Sequence, residues 1–421
     1  MKNIVLIFMV LLPFIGNSQF DTLFENYSLR LDYVHSGNSE SENFSFHEFK
    51  KEPYWGGSKV NLIDTFEYGK YFVEVTDTKT GDLIYSRGYG SLFNEWSQTE
   101  EAKSISKDFE ETVTMPFPKN KIKISLFVRN KNMEFEPKFS IDFDPQETKF
   151  TDKSTVTMYP KALLYNGSPD KKLDIVVLAE GYSRDEYAAF QEDCQMLIDR
   201  MFYYEPYLDL RKYFNVHIIW VSSEERGSDD PNNKKMVNTV FNTSFNTLNS
   251  DRYCMTESYW KVRDYAANAP YDQIYILVNT DKYGGGAIYN YYSVSVSGNL
   301  KSPKVFIHEF GHAMAGLADE YAYEDSFENM YPANVEPWEP NITTLVDFQS
   351  KWKDMVKDTT PVPTPDVIDN YNLIGAFEGA GYLTKGVYRP MHDCLMRSFD
   401  GDVFCPVCTK AIEDMVGFYI K

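Results

Sequence analysis

Cysteine is scarce and unevenly placed in this chain of 421 residues: there are five cysteines, and none precedes Cys194. A small fold held together by disulfides is therefore excluded, since such scaffolds are short and rich in cysteine. Runs of basic residues are also lacking, and 62 acidic residues against 42 basic ones give a formal net charge of -20. Because this charge repels phosphate backbones and anionic lipid, nucleic-acid binding is disfavoured.

Long apolar segments are lacking beyond the start of the chain. Residues 1–18 place Lys2 before an apolar stretch from Ile4 to Ile15 and then small or polar residues, the pattern of a secretory signal peptide. A membrane anchor is disfavoured because about a dozen apolar residues, interrupted by Pro13, fall short of the roughly 20 that a spanning helix needs. We therefore expect an exported protein, periplasmic, cell-surface or secreted, without a transmembrane segment.

The rest of the composition is that of a globular protein, with 43% hydrophobic, 25% charged and 16% aromatic residues. Residues 20–145 alternate short strand-like runs, such as 71–75, 83–85 and 122–128, with turn signals and show no helical periodicity. This pattern predicts an N-terminal all-β sandwich domain, followed by a polar linker at 146–171.

From residue 172 to residue 421 the pattern changes to strands that alternate with helices. Apolar runs at 173–179, 215–221 and 273–278 are typical of buried strands, and residues 185–203 and 409–421 of helices. The pattern predicts an α/β catalytic domain in which helices cover a sheet.

The stretch from Ser302 to Tyr321 carries the chemistry. Ser302 as N-cap, Pro303 in the first turn and Gly316 as a left-handed C-cap predict a helix between them.

Two histidines share one face of that helix. His308 and His312 stand four residues apart, so both imidazoles can reach one Zn²⁺, and Glu309 stands beside the ion, where it can hold the attacking water. The spacing predicts one catalytic zinc ion with Glu309 as general base and acid.

A catalytic zinc site needs a third protein ligand and one open position. The turn after Gly316 supplies Asp319, our predicted ligand, and Glu320 is the main rival. Glu324 and Glu328 are more remote alternatives. Where they are not ligands, Glu320 and Tyr321 are candidates for orienting the imidazoles.

The sequence resembles the bacterial IgA-peptidase-like zinc metallopeptidases, a family related to the metzincins that often carries a separate N-terminal domain. The similarity covers most of residues 160–421 and is carried by residues 174–182, 284–286, 302–321, 388–390, 393–396 and 404–408. It implies a metzincin-like domain with a three-layer αβα core and a methionine turn beneath the metal, for which Met396 is the candidate. Metzincins place the third ligand six residues after the second histidine; Ala318 stands there in this chain, and Asp319 follows it.

Three cysteines near the end of the chain leave two alternatives open. Cys394, Cys405 and Cys408 are close enough in sequence to include a disulfide, or they bind a structural zinc together with His392.

The predicted activity is hydrolysis of peptide bonds in a protein or glycoprotein substrate. Tyr388, Arg389 and His392 are candidate donors to the developing oxyanion. Residues 289–297 alternate like an edge strand, with which a peptide substrate could pair. The alternative function is a catalytically idle glycan- or protein-binding module that retains the zinc site. The sequence leaves the natural substrate and the oligomeric state open.

Overall fold

The structure is a computed structural model that describes residues 17–152, 156–323 and 331–420. Of the predicted signal peptide, residues 1–16 lie outside this range. Among the described residues, no helix combines the length and the apolar character needed to cross a membrane.

The N-terminal part is built mainly from strands. Two short helices, α1 (Asn17–Leu23) and α2 (Leu92–Trp96), accompany them. The strands are β1 (Phe24–Gly37), β2 (Glu42–Glu52), β3 (Tyr71–Asp77), β4 (Leu83–Tyr89), β5 (Lys107–Pro118), β6 (Ile122–Arg129) and β7 (Phe135–Phe143). They form two antiparallel sheets, ordered β2-β1-β5 and β4-β3-β6-β7.

The two sheets share one hydrophobic core. Alternate residues of β3 and β6 point inward, because side chains alternate between the two faces of a strand. Leu29 and Leu31 of β1 meet Val73 and Val75 of β3 in this core. The prediction of a β-rich N-terminal region is confirmed.

The second part is a mixed α/β structure around a six-stranded sheet. Its strands are β8 (Lys161–Leu164), β9 (Leu173–Glu180), β10 (Phe214–Ile219), β11 (Gln273–Val278), β12 (Gly285–Ala287) and β13 (Ser293–Val296). The order is β12-β13-β11-β9-β10-β8; the four inner strands run parallel, and the two edges antiparallel. Strands β9, β10 and β11 are buried throughout, which explains their continuous apolar sequences.

Helices flank this sheet, and a hairpin follows near the end of the chain. The helices are α3 (Tyr187–Met201), α4 (Tyr207–Leu210), α5 (Tyr259–Ala266), α6 (Ser302–Ala315) and α7 (Pro406–Ile420), and the hairpin strands are β14 (Phe377–Ala380) and β15 (Leu383–Arg389). Helix α6, which carries the two histidines, packs against β12, β13, α3 and α7.

Two sequence-based expectations differ from the structure. The predicted linker 146–171 contains β8, which pairs with β10 at one edge of the sheet. The predicted edge strand at 289–297 is wrong, because β13 lies inside the sheet, between β12 and β11. Strand β12 forms that edge, and its Gly285 is already hydrogen-bonded to the backbone of Arg252 and Cys254. The pairing order depends on contacts distant in sequence, which a local alternating pattern does not contain.

The N-terminal part contacts the α/β part closely. Phe93 and Trp96 of α2 belong to the same core as the six-stranded sheet. The Trp260 indole N–H donates to the carbonyl of Glu111 at 2.9 Å, and Arg30 is paired with Asp264 at 2.8 Å. These contacts make the N-terminal part a support for α5.

Candidate metal centre

Helix α6 positions both histidines. The helix begins at Ser302, with Lys301 as N-cap, so the predicted N-cap role of Ser302 is wrong. Its hydroxyl instead accepts a hydrogen bond from the backbone N–H of Asn299. The helix ends at Gly316, whose φ of 63° is the left-handed conformation predicted for the C-cap. This turn leads the chain directly to Asp319.

Three predicted site residues meet in a small triangle. The Nε2 atoms of His308 and His312 are 3.1 Å apart, and Asp319 Oδ1 lies 3.1 Å from the first and 3.4 Å from the second. Ligand atoms at the usual distances from a tetrahedral Zn²⁺ are separated by about 3.3 Å. The triangle therefore has the dimensions of three corners of a zinc coordination sphere.

The remaining hydrogen bonds of the rings fix their orientation. Nδ1 of His308 lies 3.0 Å from the carbonyl oxygen of Leu395, and Nδ1 of His312 lies 2.5 Å from that of Leu317. With Nδ1–H donated to a carbonyl, the Nε2 atom is left to face Asp319. Asp319 Oδ1 is buried and has no hydrogen-bond partner among the described residues. Only a cation, either a proton or a metal ion, makes this arrangement favourable.

The charges of His312 and Asp319 also favour a cation at the triangle. Burial alone would lower the pKa of His312, but the Asp319 carboxylate outweighs it and raises the pKa to about 9. Burial would raise the pKa of Asp319, but His312 and His308 hold it well below its ordinary value. The carboxylate thus stays negative and attracts positive charge to the triangle.

Glu309 lies beside the triangle under the edge of the sheet. Desolvation raises the pKa of its carboxyl above the ordinary value, against the opposing effect of His308 and His312. A Cβ atom at Gly285 would lie 2.8 Å from Val305 Cγ1 and 3.3 Å from Glu309 Cγ. Glycine is required here because β12 approaches the helix so closely.

Two tyrosines hold Asp319, and one of them, Tyr382, is not marked by any sequence pattern. The Tyr382 hydroxyl donates to Asp319 Oδ2, and Tyr321 also bonds to this carboxylate. Arg252 in turn donates to the hydroxyls of Tyr321 at 3.0 Å and Tyr323 at 2.6 Å. Tyr321, a predicted partner of the imidazoles, is instead hydrogen-bonded to Asp319. Tyr382 follows Asp319 by 63 residues, and no motif spacing connects them.

Glu320, the rival third ligand, points away from the histidines. Its Oε1 accepts hydrogen bonds from Asn341 at 2.9 Å and from the Cys408 thiol at 3.1 Å. Its carboxylate and the thiols of Cys394, Cys405 and Cys408 form a second buried cluster. The role of Glu320 as an orienter of the imidazoles is therefore wrong: backbone carbonyls orient both rings. The more remote candidates, Glu324 and Glu328, lie outside the described residues.

Two further predictions about the last part of the chain are corrected. His392 does not join the three cysteines: its Nδ1 lies 2.7 Å from Asp366 Oδ1, and its ring stacks on Tyr371. The disulfide is also not formed, because all five cysteines are free thiols. Arg389, a predicted donor to the oxyanion, instead donates hydrogen bonds to the carbonyls of Glu378 and Gly379 and to the Asp366 carboxylate.

The oxyanion candidates are not brought to the histidines. Within the described part of the chain, no hydrogen bond links Tyr388, Arg389 or His392 to the triangle. Met396, the candidate for the methionine turn, is fully buried against helix α6. Its Sδ would lie 3.0 Å from a Cβ at Gly311, next to His312.

A helix with two histidines and a glutamate between them, completed by an aspartate from the following turn, has the donor set of a metallopeptidase centre. The comparisons agree: the sequence model of the family IgA Peptidase M64 matches residues 162–372 and 368–416, and that of the Peptidase M64 N-terminus matches residues 19–140. The chain belongs to the IgA Peptidase M64 family. No curated protein matches it. The protein is accordingly a peptidase with an N-terminal domain of the same family.

Proposed function

We propose that this protein is an exported zinc endopeptidase of metzincin-like three-layer architecture, in which His308, His312 and Asp319 hold one catalytic Zn²⁺. The observation that carries the proposal is the triangle of donor atoms with sides of 3.1, 3.1 and 3.4 Å. The three donors leave the fourth tetrahedral position open for water and substrate, as catalytic zinc sites require.

The chemistry assigns distinct tasks to the surrounding side chains. A zinc ion bound here supplies Lewis acidity, which acidifies water and polarises a peptide carbonyl. Glu309 accepts the proton of the attacking water and later delivers it to the leaving amine. Burial raises the pKa of Glu309, which makes its carboxylate a stronger base than that of an exposed glutamate and so favours uptake of the proton.

The tyrosines and Arg252 keep this arrangement in place. Tyr382 and Tyr321 bond to Asp319, so its Oδ1 keeps facing the imidazoles. Arg252 ties Tyr321 to Tyr323 and acts electrostatically on Glu309. Its exposed guanidinium is our candidate to contact a substrate carbonyl, in place of Tyr388, Arg389 and His392.

The decisive experiment compares the wild-type chain with Glu309→Gln and His308→Ala on a protein substrate such as casein, with zinc content measured on the same samples. We expect Glu309→Gln to keep its zinc and to lose about 10²- to 10⁴-fold in activity, the usual contribution of a general base. His308→Ala should lose both zinc from this site and activity. A zinc-loaded wild-type chain that cleaves no protein substrate, yet binds a glycan or a protein, would establish the idle binding module instead.

A further inference from the structure

A second cluster of metal-ligating side chains lies next to the proposed catalytic site. Cys394, Cys405, Cys408 and Glu320 each offer one donor atom, and the four atoms lie within 4.8 Å of one another. None of the four residues is more than 2% exposed. The cluster is therefore shielded from water, and its charge must be balanced inside the protein.

The cluster contains an unsatisfied carboxylate oxygen. Oε1 of Glu320 accepts from Asn341 and Cys408, whereas Oε2 is buried and has no hydrogen-bond partner among the described residues. Leaving such an atom without a donor or a cation is costly. This oxygen, together with three thiols that form no disulfide, indicates a ligand that is not a protein group.

The backbone around the sulfur atoms is suited to thiolates. The Cys405 N–H donates to Cys394 Sγ at 3.2 Å, and the Cys408 N–H donates to Cys405 Sγ at 3.5 Å. Cys405 directly precedes α7, and Cys408 lies in the first turn of that helix. The positive end of the helix dipole therefore faces sulfur atoms that would carry negative charge.

We propose that Cys394, Cys405, Cys408 and Glu320 bind a second Zn²⁺ as a closed structural site. In a tetrahedral site of this composition the donor atoms lie about 3.5 to 3.8 Å apart, so the cluster is already close to that geometry. Three thiolates select a soft ion over Ca²⁺ or Mg²⁺, which take oxygen ligands. Because four protein groups complete the coordination, this ion has no open position for substrate.

The second ion would stiffen the first site through the backbone. Glu320 follows Asp319, and Cys394 precedes Leu395, whose carbonyl orients His308. The Glu320 N–H also donates to the Met396 carbonyl at 2.8 Å, which ties the two segments together. A zinc ion between Glu320 and Cys394 would therefore fix both segments that hold the catalytic ligands.

Metal content of the purified full-length chain tests the proposal. We expect two zinc ions per wild-type chain, one in His308→Ala and one in Cys405→Ser. Cys194→Ser is the matched control, because Cys194 is equally buried but belongs to no metal-ligating cluster in the described part of the chain. This variant should keep two ions.

Cobalt substitution identifies the ligands without an activity assay. Sulfur-to-cobalt charge-transfer absorption should be present in the wild type and in His308→Ala, and absent in Cys405→Ser. The comparison of wild type with His308→Ala needs no cysteine variant, so it tests for sulfur ligands even if Cys405→Ser does not fold. Glu320→Gln should retain this absorption and shift the ligand-field bands.

Three results would overturn the proposal: a wild-type chain whose single zinc is lost in His308→Ala, a disulfide among the three thiols in mass spectra of the alkylated chain, or a cobalt spectrum of His308→Ala without sulfur character. A single ion that survives His308→Ala would support the second site and contradict the first. The failure of one proposal is thus distinguishable from the failure of the other.

Discussion

The His308 imidazole and the Leu395 carbonyl are hydrogen-bonded at 3.0 Å across 87 residues of sequence. This contact joins the helix that carries both histidines to the segment that contains Cys394 and Met396. It orients one proposed ligand from a loop that also contributes Cys394 to the cysteine cluster. The two candidate metal sites are therefore connected through this loop, so a change at the cysteine cluster should also affect the orientation of His308.

The carboxylate of Asp319 should decide metal affinity at the histidine site. Asp319→Asn keeps the size of the side chain but removes its charge, so we expect zinc at this site to bind about 100-fold more weakly and peptidase activity to fall in parallel. Chelator competition measures the affinity. Unchanged affinity in Asp319→Asn would show that another residue is the third ligand.

Tyr382 should act through Asp319. Removing its hydroxyl in Tyr382→Phe leaves Asp319 Oδ2 without this donor, and we expect zinc affinity to fall about 10- to 100-fold, the usual effect of losing a hydrogen bond to a metal ligand. Tyr182→Phe is the matched control, since that buried hydroxyl donates to Asp193 at 2.7 Å. Equal zinc affinity in the two variants would contradict this role.

Gly316 should be required for both its conformation and its contacts. A Cβ atom there would lie 3.0 Å from Trp338 and 3.2 Å from Tyr68, at a φ of 63°. We expect Gly316→Ala to reduce the free energy of unfolding by about 2–3 kcal/mol, of which the left-handed backbone accounts for about 1–2 kcal/mol.

Gly81→Ala separates the two effects. Gly81 also has a positive φ, 79°, but a Cβ there would meet nothing within 4 Å. This variant should lose only the backbone contribution, about 1–2 kcal/mol. If denaturant titrations give equal losses for both variants, crowding at Gly316 plays no part.

Glu111 should make stability depend on pH. Desolvation raises the pKa of this buried carboxyl to about 8, against hydrogen bonds from Ser91 and Phe93, whereas its ordinary value is 4.5. Between these values the folded chain holds a proton that the unfolded chain releases. The contribution of Glu111 to the free energy of unfolding is therefore fully present below pH 4.5 and is lost as the pH rises through about 8.

The free energy of unfolding can fall by up to about 1.4 kcal/mol per pH unit because of Glu111. Glu111→Gln should flatten the dependence of the unfolding free energy on pH between about 5.5 and 7.5, as measured by denaturant titration at several pH values. Glu147→Gln, at an exposed position, is the control and should leave the slope unchanged. A slope that is identical in wild type and Glu111→Gln would show that Glu111 is ionised in the folded chain.

Local features were the most predictable from the sequence. The strand at Gln273–Val278, the helix through His308 and His312 and its left-handed end at Gly316 follow from periodicity and capping, which act over a few residues. The pair of histidines on one helical face needs no tertiary information either.

Choices that depend on distant contacts were less predictable. Asp319 and Glu320 are adjacent and chemically alike, so only their surroundings separate them. Tyr382 holds Asp319 near the histidines. Asn341 and Cys408 hold Glu320 among the cysteines. For the same reason the sequence offered His392 as a partner of the cysteines in one of two alternatives, whereas the structure places Glu320 there.

The sequence alone determined the family, the alternation of strands and helices, and the helix that presents His308 and His312, because these depend on residue identity and short-range spacing. The tertiary structure alone decided which carboxylate completes the triangle, which strand forms the edge of the sheet and which residue joins the three thiols. These outcomes depend on side chains separated by tens of residues, and only packing of the core brings such groups within bonding distance.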